Sequence, residues 1–154
     1  MDNHPTEREK ERAKILAEEL KILQGVINRM AQNSLECKKW TLALVVGVLS
    51  LKIEAISHLY GLCVLGVLLA CFYLLDAYYL MLERLFREQY EWLIKNRLKT
   101  DERLFEIFPA RQTCRFALYL CAMRSFSLFP YWLLGLCLVI YGFVFNSVSM
   151  ECWL

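Results

Sequence analysis

The stretch LYGLCVLGVLLACFYLLDAYYLML, residues 59–82, contains a single charged residue, Asp76. As a helix that rises about 1.5 Å per residue, it is long enough to cross a hydrocarbon layer of about 30 Å. Two more apolar runs, residues 40–51 and 126–145, lie on either side of it. This pattern predicts an all-α membrane protein with a transmembrane helical hairpin and a third transmembrane helix.

Composition and charge distribution agree with this architecture. Hydrophobic residues make up 58% and charged residues 22% of the 154 residues, so the charges must be segregated from the apolar runs. Of the 18 lysines and arginines, eight lie within residues 8–39 and nine within residues 84–124. By the positive-inside rule both segments face the cytoplasm. This places the N-terminus inside and the C-terminus outside after three crossings.

The alternation of charged regions and apolar runs divides the chain into four segments. Residues 1–38 are predicted to form a cytoplasmic amphipathic helix, and residues 39–82 the transmembrane hairpin. Residues 83–125 follow as a cytoplasmic helical extension and loop. The last part of that loop, residues 114–124, mixes aromatic residues with basic ends, as is typical of a segment lying on the membrane surface. Residues 126–154 are predicted to form the third transmembrane helix and a short external tail.

The cytoplasmic N-terminal segment has the features of a helix that needs a partner. Thr6 followed by Glu9 matches the spacing of a capping box, so a helix is expected to begin there. Apolar residues then recur at alternating three- and four-residue steps, the pattern of a coiled-coil seam. The candidate oligomerisation residues of this seam are Leu16, Leu20, Leu23, Ile27 and Met30. The seam must be buried either against the second cytoplasmic segment of the same chain or against the same helix of a second copy.

The membrane hairpin contains two further features. Lys52 and Glu54 lie between its two apolar runs, and they belong either to an outer turn or to a polar path at membrane depth. Small residues at four-residue spacing, which allow membrane helices to approach closely, occur on both helices. The candidate packing residues are Ala43, Gly47, Gly66 and Ala70. They predict a tight hairpin.

A polar face continues from the second apolar run into the cytoplasmic extension. Neither glycine nor proline interrupts the sequence from Leu75 until Pro109, so one helix is expected to leave the membrane without a break. The candidate pore or gating residues on this face are Asp76, Tyr79, Glu83 and Arg87. In one interpretation the face anchors the helix, with Asp76 paired to Arg29, Lys38 or Lys39. In the other it lines or gates a pore mouth.

The sequence offers no set of residues suited to catalysis. Its two histidines lie in the N-terminal tail and between the apolar runs, outside any nucleophile–base or zinc-binding spacing. We therefore expect a non-enzymatic protein with no catalytic residues, no metal and no cofactor. The net charge of +2 gives no reason to expect direct binding to nucleic acid.

Two stretches, VINRMAQNS at residues 26–34 and LDAYYLMLERLFREQY at residues 75–90, resemble signatures of a group of small bacterial inner-membrane proteins. In general design these are similar to transmembrane effectors of anti-phage defence systems. The resemblance implies an oligomeric, multi-pass protein, surrounded by membrane lipid, that depolarises or disrupts the bacterial inner membrane during abortive infection. It also implies a nucleotide-signalling or sensor protein, encoded nearby, as a partner. The alternative function is a membrane anchor or accessory subunit that tethers a partner enzyme or complex.

Overall fold

The computed structural model describes residues 6–50, 59–97, 99 and 115–151. These ranges contain four helices: α1, Glu7–Ser50; α2, Leu59–Asn96; α3, Arg115–Met123; and α4, Phe129–Glu151. A 3₁₀ turn, Phe126–Leu128, leads into α4. No strand occurs in these described ranges, so the predicted all-α class is confirmed.

Helix α1 extends across the boundary between the two segments predicted for its region. It begins where the Thr6 backbone N–H donates to Oε2 of Glu9 at 2.7 Å, so the predicted helix start is confirmed. The helix then continues through the 38/39 boundary because it contains no proline. Its glycines, Gly25 and Gly47, cost only about 1 kcal/mol each relative to alanine. The amphipathic segment and the first apolar run are therefore one rod, about 66 Å long at the usual helical rise.

Helices α1 and α2 form an antiparallel hairpin, which is the most extensive helix–helix contact of the described chain. Two ion pairs mark its register. Lys38 lies opposite Asp76, and Glu19 lies opposite Arg97, which follows the last residue of α2. The two pairs are separated by nineteen residues on the α1 side and by twenty-one on the other. Such nearly equal separations are what two aligned antiparallel helices require.

Helix α4 packs along the first half of α2. A Cβ placed on Gly135 would lie 3.8 Å from a methyl group of Leu69, and one placed on Gly142 would lie 3.2 Å from a methyl group of Leu62. The first distance is an ordinary contact, whereas the second is tight, so the missing side chain of Gly142 allows α4 to approach α2 closely there. Gly135 and Gly142 are seven residues apart, about two helical turns, so they lie on the same face of α4.

The short helix α3 is held against α2 by two tyrosine hydroxyl groups. Tyr73 of α2 donates to the Met123 carbonyl oxygen at 2.8 Å, and Tyr119 of α3 donates to the Leu74 carbonyl oxygen at 3.0 Å. The outward side of α3 carries the exposed ring of Phe116. Helix α3 therefore presents an apolar outer surface immediately before α4 begins.

Two stretches, Tyr60–Asn96 and Phe126–Phe143, are long and apolar enough to cross a membrane, judged by length and composition. Only 22% and 11% of their most apolar windows are buried inside the chain. A helix in the core of a soluble protein would instead be mostly buried. The apolar residues 40–50, part of the first predicted crossing, form the last part of α1. Lys52 and Glu54 lie outside the described residues.

Candidate functional site

A buried carboxylate, Asp76, is the centre of a charged cluster between α1 and α2. Its side chain is 0% exposed. Nζ of Lys38 lies 2.8 Å from Oδ2 in an ionic contact that lacks hydrogen-bond geometry, and the Ser34 hydroxyl donates to Oδ1 at 2.5 Å. Lys38 also donates to Ser34 Oγ at 2.8 Å, so the three side chains contact one another. The cluster thereby supplies the pairing and hydrogen bonding that a buried charge needs.

Three more side chains surround this carboxylate. The Thr41 hydroxyl donates to the carbonyl oxygen of Cys37 at 2.7 Å. Tyr131 of α4 is buried beside Asp76, and its hydroxyl makes no hydrogen bond of good geometry with a described residue. Burial raises the pKa of the Cys37 thiol, and the Asp76 carboxylate raises it further, while the Lys38 ammonium acts in the opposite direction. The thiol is therefore neutral near pH 7.

Lys38 connects the cluster to the surface of the molecule. Its side chain is 22% exposed, whereas the carboxylate it contacts is enclosed. The next residue, Lys39, is exposed and pairs with Glu36 at 2.8 Å, and the ring of Trp40 is exposed as well. Basic side chains beside an indole are typical of a membrane–water interface. The sequence offered Arg29, Lys38 and Lys39 as partners for Asp76, and the structure pairs Asp76 with Lys38.

The other residues of the predicted polar face do not join this cluster. Oε1 of Glu83 accepts hydrogen bonds from Nε and Nη2 of Arg87, at 2.9 and 2.7 Å. The Arg87 side chain is mostly exposed, so this pair stabilises the helix by only about 0.3–0.5 kcal/mol. Tyr79 is partly buried, with its ring 6.2 Å from that of Tyr78. The face divides into a buried acid and a solvated ion pair, and a pore or gating role for these residues stays a prediction.

The apolar seam of α1 packs against α2 of the same chain. Leu23 and Ile27 are buried in one cluster with Phe86 and Leu93 of α2. The remaining seam residues that pack against this cluster are Leu16, Leu20 and Met30. The sequence left open whether the seam packs within one chain or against a second copy, and the structure shows packing within one chain. Oligomerisation through the same residues would require the two helices of one chain to separate, and it stays a prediction.

A second buried ion pair closes the end of the hairpin that is farther from the apolar runs. Arg97 is 1% exposed, with Nε donating to Oε2 of Glu19 at 2.6 Å and Nη2 donating to Oε1 at 2.9 Å. Both carboxylate oxygens are therefore engaged in a bidentate contact. Sequence reasoning missed this pair. Glu19 flanks the seam, where charged residues are common in coiled coils, but its partner lies 78 residues away along the chain.

The small residues predicted to pack the membrane hairpin tightly leave open space at two positions. A Cβ placed on Gly47 or Gly66 would meet no heavy atom within 4 Å. The tight hairpin expected from their spacing is therefore not formed at these glycines. Larger residues, Val45 and Leu65, occupy buried positions nearby. The alanines of the predicted pairs, Ala43 and Ala70, are exposed.

This arrangement of groups is suited to charge pairing and helix coupling. The ammonium group of Lys38 is held beside an anion and the thiol of Cys37 is neutral, so neither is an activated nucleophile. Among the described residues, no group of three or more His, Cys, Asp or Glu side chains is placed to hold a metal ion. Comparisons with protein families, with curated proteins and with solved structures find no match to this chain.

Proposed function

We propose that the protein is a non-enzymatic, multi-pass effector of the bacterial inner membrane. In this proposal its cytoplasmic hairpin controls the membrane helices, and their rearrangement depolarises or disrupts the membrane during an anti-phage response. The observation that carries the proposal is the continuity of α1 and α2, each of which joins a charged region to an apolar region without a break. The defence role rests on the resemblance of residues 26–34 and 75–90 to a group of small bacterial inner-membrane proteins whose general design is similar to that of anti-phage effectors.

The Asp76–Lys38 contact is assigned to the inner membrane interface. Beyond it, α1 continues for twelve residues, or about 18 Å, and α2 extends over seventeen residues, or about 26 Å, toward the other end of the hairpin. The exposed side chains of Leu42 and Val46 on this part of α1 are apolar. Because the basic residues lie on the other side of the contact, the N-terminus is cytoplasmic. Helix α4 adds the third crossing.

The closed hairpin supplies a resting state for this mechanism. Both the apolar seam and Asp76 are buried between α1 and α2, so a trigger must separate these helices before either can contact another copy. Separation would expose the seam for assembly through coiled-coil contacts. It would also leave a carboxylate at membrane depth without its partner, which favours a water-lined arrangement of several copies over exposure to lipid.

A second candidate function is a membrane tether for a partner enzyme or complex. One observation favours it: the seam and the buried acid are already satisfied within one chain, as a rigid support requires. Twelve residues of α1 precede Glu19, so the first helix extends about 18 Å beyond the end of α2 and offers a surface for a partner.

Labelling in intact cells tests the topology that both functions share. In variants that retain one cysteine each, a membrane-impermeant maleimide should modify Cys121 of α3 only after the cells are permeabilised. Cys152, in the predicted external tail, should be modified without permeabilisation. The opposite pattern would remove a crossing and contradict the proposed orientation.

The membrane potential separates the effector from the tether. Cells that express the protein together with its neighbouring genes are infected with phage and followed with a voltage-sensitive dye. An effector should depolarise the wild-type cells, and Asp76→Asn at a matched protein level should change the size or timing of the response. If infection leaves the potential of both strains undisturbed while the protein is present in the membrane, the tether becomes the better account.

A further inference from the structure

A groove at the inner end of α4 combines a basic opening with an apolar interior. Its opening, of about 680 Å³, is bordered by Arg124 and Ser125 and by several aromatic rings. A slot of about 430 Å³ lies between α2 and α4. The two cavities share Tyr73 and Trp132, whose rings are 6.0 Å apart, so they are adjoining parts of one groove.

The opening carries two positive charges and an aromatic rim. Nη2 of Arg84 donates to the Ser125 hydroxyl at 2.8 Å, which brings a second guanidinium to the side chain that borders the opening. Arg84 and Arg124 are both exposed, and neither forms an ion pair with a described residue. Beside them, the exposed rings of Phe126 and Phe129 stack at 5.7 Å. Guanidinium groups beside interfacial aromatic rings suit a phosphate at the membrane surface.

The slot is suited to a hydrocarbon chain. Gly66 of α2 and Gly135 of α4 border it, and the open space beside Gly66 keeps it wide. Leu136 and Val139 border the slot and are themselves exposed on the apolar outer surface of α4, so a chain can enter from the side. At the inner end, the hydrogen bond from Tyr73 to the Met123 carbonyl oxygen fixes the ring shared with the opening.

We propose that an anionic phospholipid binds in this groove, with its phosphate at Arg84 and Arg124 and one acyl chain in the slot between α2 and α4. The inference rests on the membrane placement in the proposed function and adds a defined lipid ligand to it. A small soluble anion would leave the apolar slot unused. A zwitterionic lipid would bring its own cation to a site that presents two guanidinium groups and no described carboxylate partner. Basic pockets at the cytoplasmic side of a membrane therefore favour anionic head groups.

Lipid retention by the purified full-length protein tests the head-group contact. Protein stripped of lipid in detergent is given equal amounts of dioleoyl phosphatidylglycerol and dioleoyl phosphatidylcholine, and bound lipid is counted by native mass spectrometry. The wild type should retain phosphatidylglycerol preferentially. Arg124→Ala should weaken that binding about fivefold, the effect of one arginine at a lipid surface. Arg8→Ala, the same change at the exposed cytoplasmic start of α1, should have no effect.

A matched pair of glycine variants tests the acyl-chain contact. Gly66→Leu fills the slot from a position where a Cβ meets no atom within 4 Å. Gly47→Leu makes the same change at an equally open helical position that does not border the slot. Both variants should keep the helical circular dichroism of the wild type, and only Gly66→Leu should lose bound phosphatidylglycerol.

Equal retention of the two lipids by the wild type would overturn the proposal, since it would indicate only nonspecific surrounding lipid. An equal loss in both members of either matched pair would overturn it as well. Neither result would bear on depolarisation in infected cells, which is measured independently. Conversely, selective retention of phosphatidylglycerol by a protein that leaves the potential undisturbed would support the lipid site and contradict the effector function.

Discussion

The two buried ion pairs of the hairpin have opposite polarity and different surroundings. In the pair that we propose to lie at the membrane interface, the membrane-side pair, α2 supplies the acid, Asp76, and α1 supplies the base, Lys38. At the opposite end of the hairpin, α1 supplies the acid Glu19, and the base is Arg97 after α2. This second pair is bidentate and enclosed, whereas Lys38 is partly exposed and also contacts a serine. The comparison indicates that one end of the hairpin is locked, while the other can exchange partners with water or lipid.

Breaking the enclosed pair should have the largest effect on stability. Arg97→Met removes the bidentate guanidinium contact of the buried Glu19 carboxylate, which should lower the free energy of unfolding by about 3–5 kcal/mol. The double variant with Glu19→Met should recover most of that loss, because no unpaired charge remains. Thermal unfolding in detergent, followed by circular dichroism, measures both. A single variant as stable as the wild type would show that the pair does not hold this end closed.

The packed seam between the two pairs should contribute next. Leu23 is 1% exposed, so Leu23→Ala should cost about 2–5 kcal/mol through lost burial and the cavity it leaves. Its neighbour Ile22 is 46% exposed, and Ile22→Ala should change the stability by no more than about 0.5 kcal/mol. The same unfolding measurement compares the two. Equal losses would contradict the packing of this face against α2.

Neutralising the acid of the membrane-side pair should have a smaller effect than breaking the enclosed pair. Asp76→Asn keeps an oxygen that accepts from Ser34, and the released Lys38 can turn toward water or a lipid phosphate. A loss of about 1.5 kcal/mol is expected from the weaker hydrogen bonding. Unfolding midpoints of Asp76→Asn and Arg97→Met, compared in one detergent, test the order. A larger loss in the asparagine variant would reverse the assignment of locked and adjustable ends.

The smallest predicted effect is a shift in thiol reactivity. The raised pKa of Cys37 means that its reactive thiolate should form at a higher pH than that of an ordinary thiol. Asp76→Asn removes a carboxylate that raises this pKa, so alkylation by iodoacetamide should begin at a lower pH. Peptide mass spectrometry follows the reaction, with the exposed Cys121 as an internal standard. An unchanged pH profile at Cys37 would contradict electrostatic contact with the acid.

Local sequence signals predicted the helical elements well. The Thr6–Glu9 spacing located the start of α1, because a capping box is formed by residues three apart. The absence of glycine and proline after Gly66 predicted that α2 would continue without a break beyond its apolar run. The segment boundary after residue 38 does not coincide with a helix end, since a change from an amphipathic to an apolar pattern alters what surrounds a helix without ending it.

Long-range pairing could be predicted only in part. Burial required a partner for Asp76, and the nearby bases gave three candidates, but the choice of Lys38 depends on the register of the hairpin. The Glu19–Arg97 pair gave no local signal because each residue alone resembles an ordinary charged position beside a helix seam. Tyr131 joins the cluster from α4, and no periodicity within one helix could place it there.

Charge reversal across the membrane-side pair tests most directly the claim that a closed hairpin restrains an effector. Asp76→Lys places two positive charges together in a buried site and should open the hairpin, whereas adding Lys38→Asp restores an opposite-charge pair. Membrane potential is followed with a voltage-sensitive dye in uninfected cells at matched membrane levels of each protein. The account predicts depolarisation by the single variant and a wild-type potential for the double variant. A wild-type potential in the single variant, or equal depolarisation in both, would contradict it.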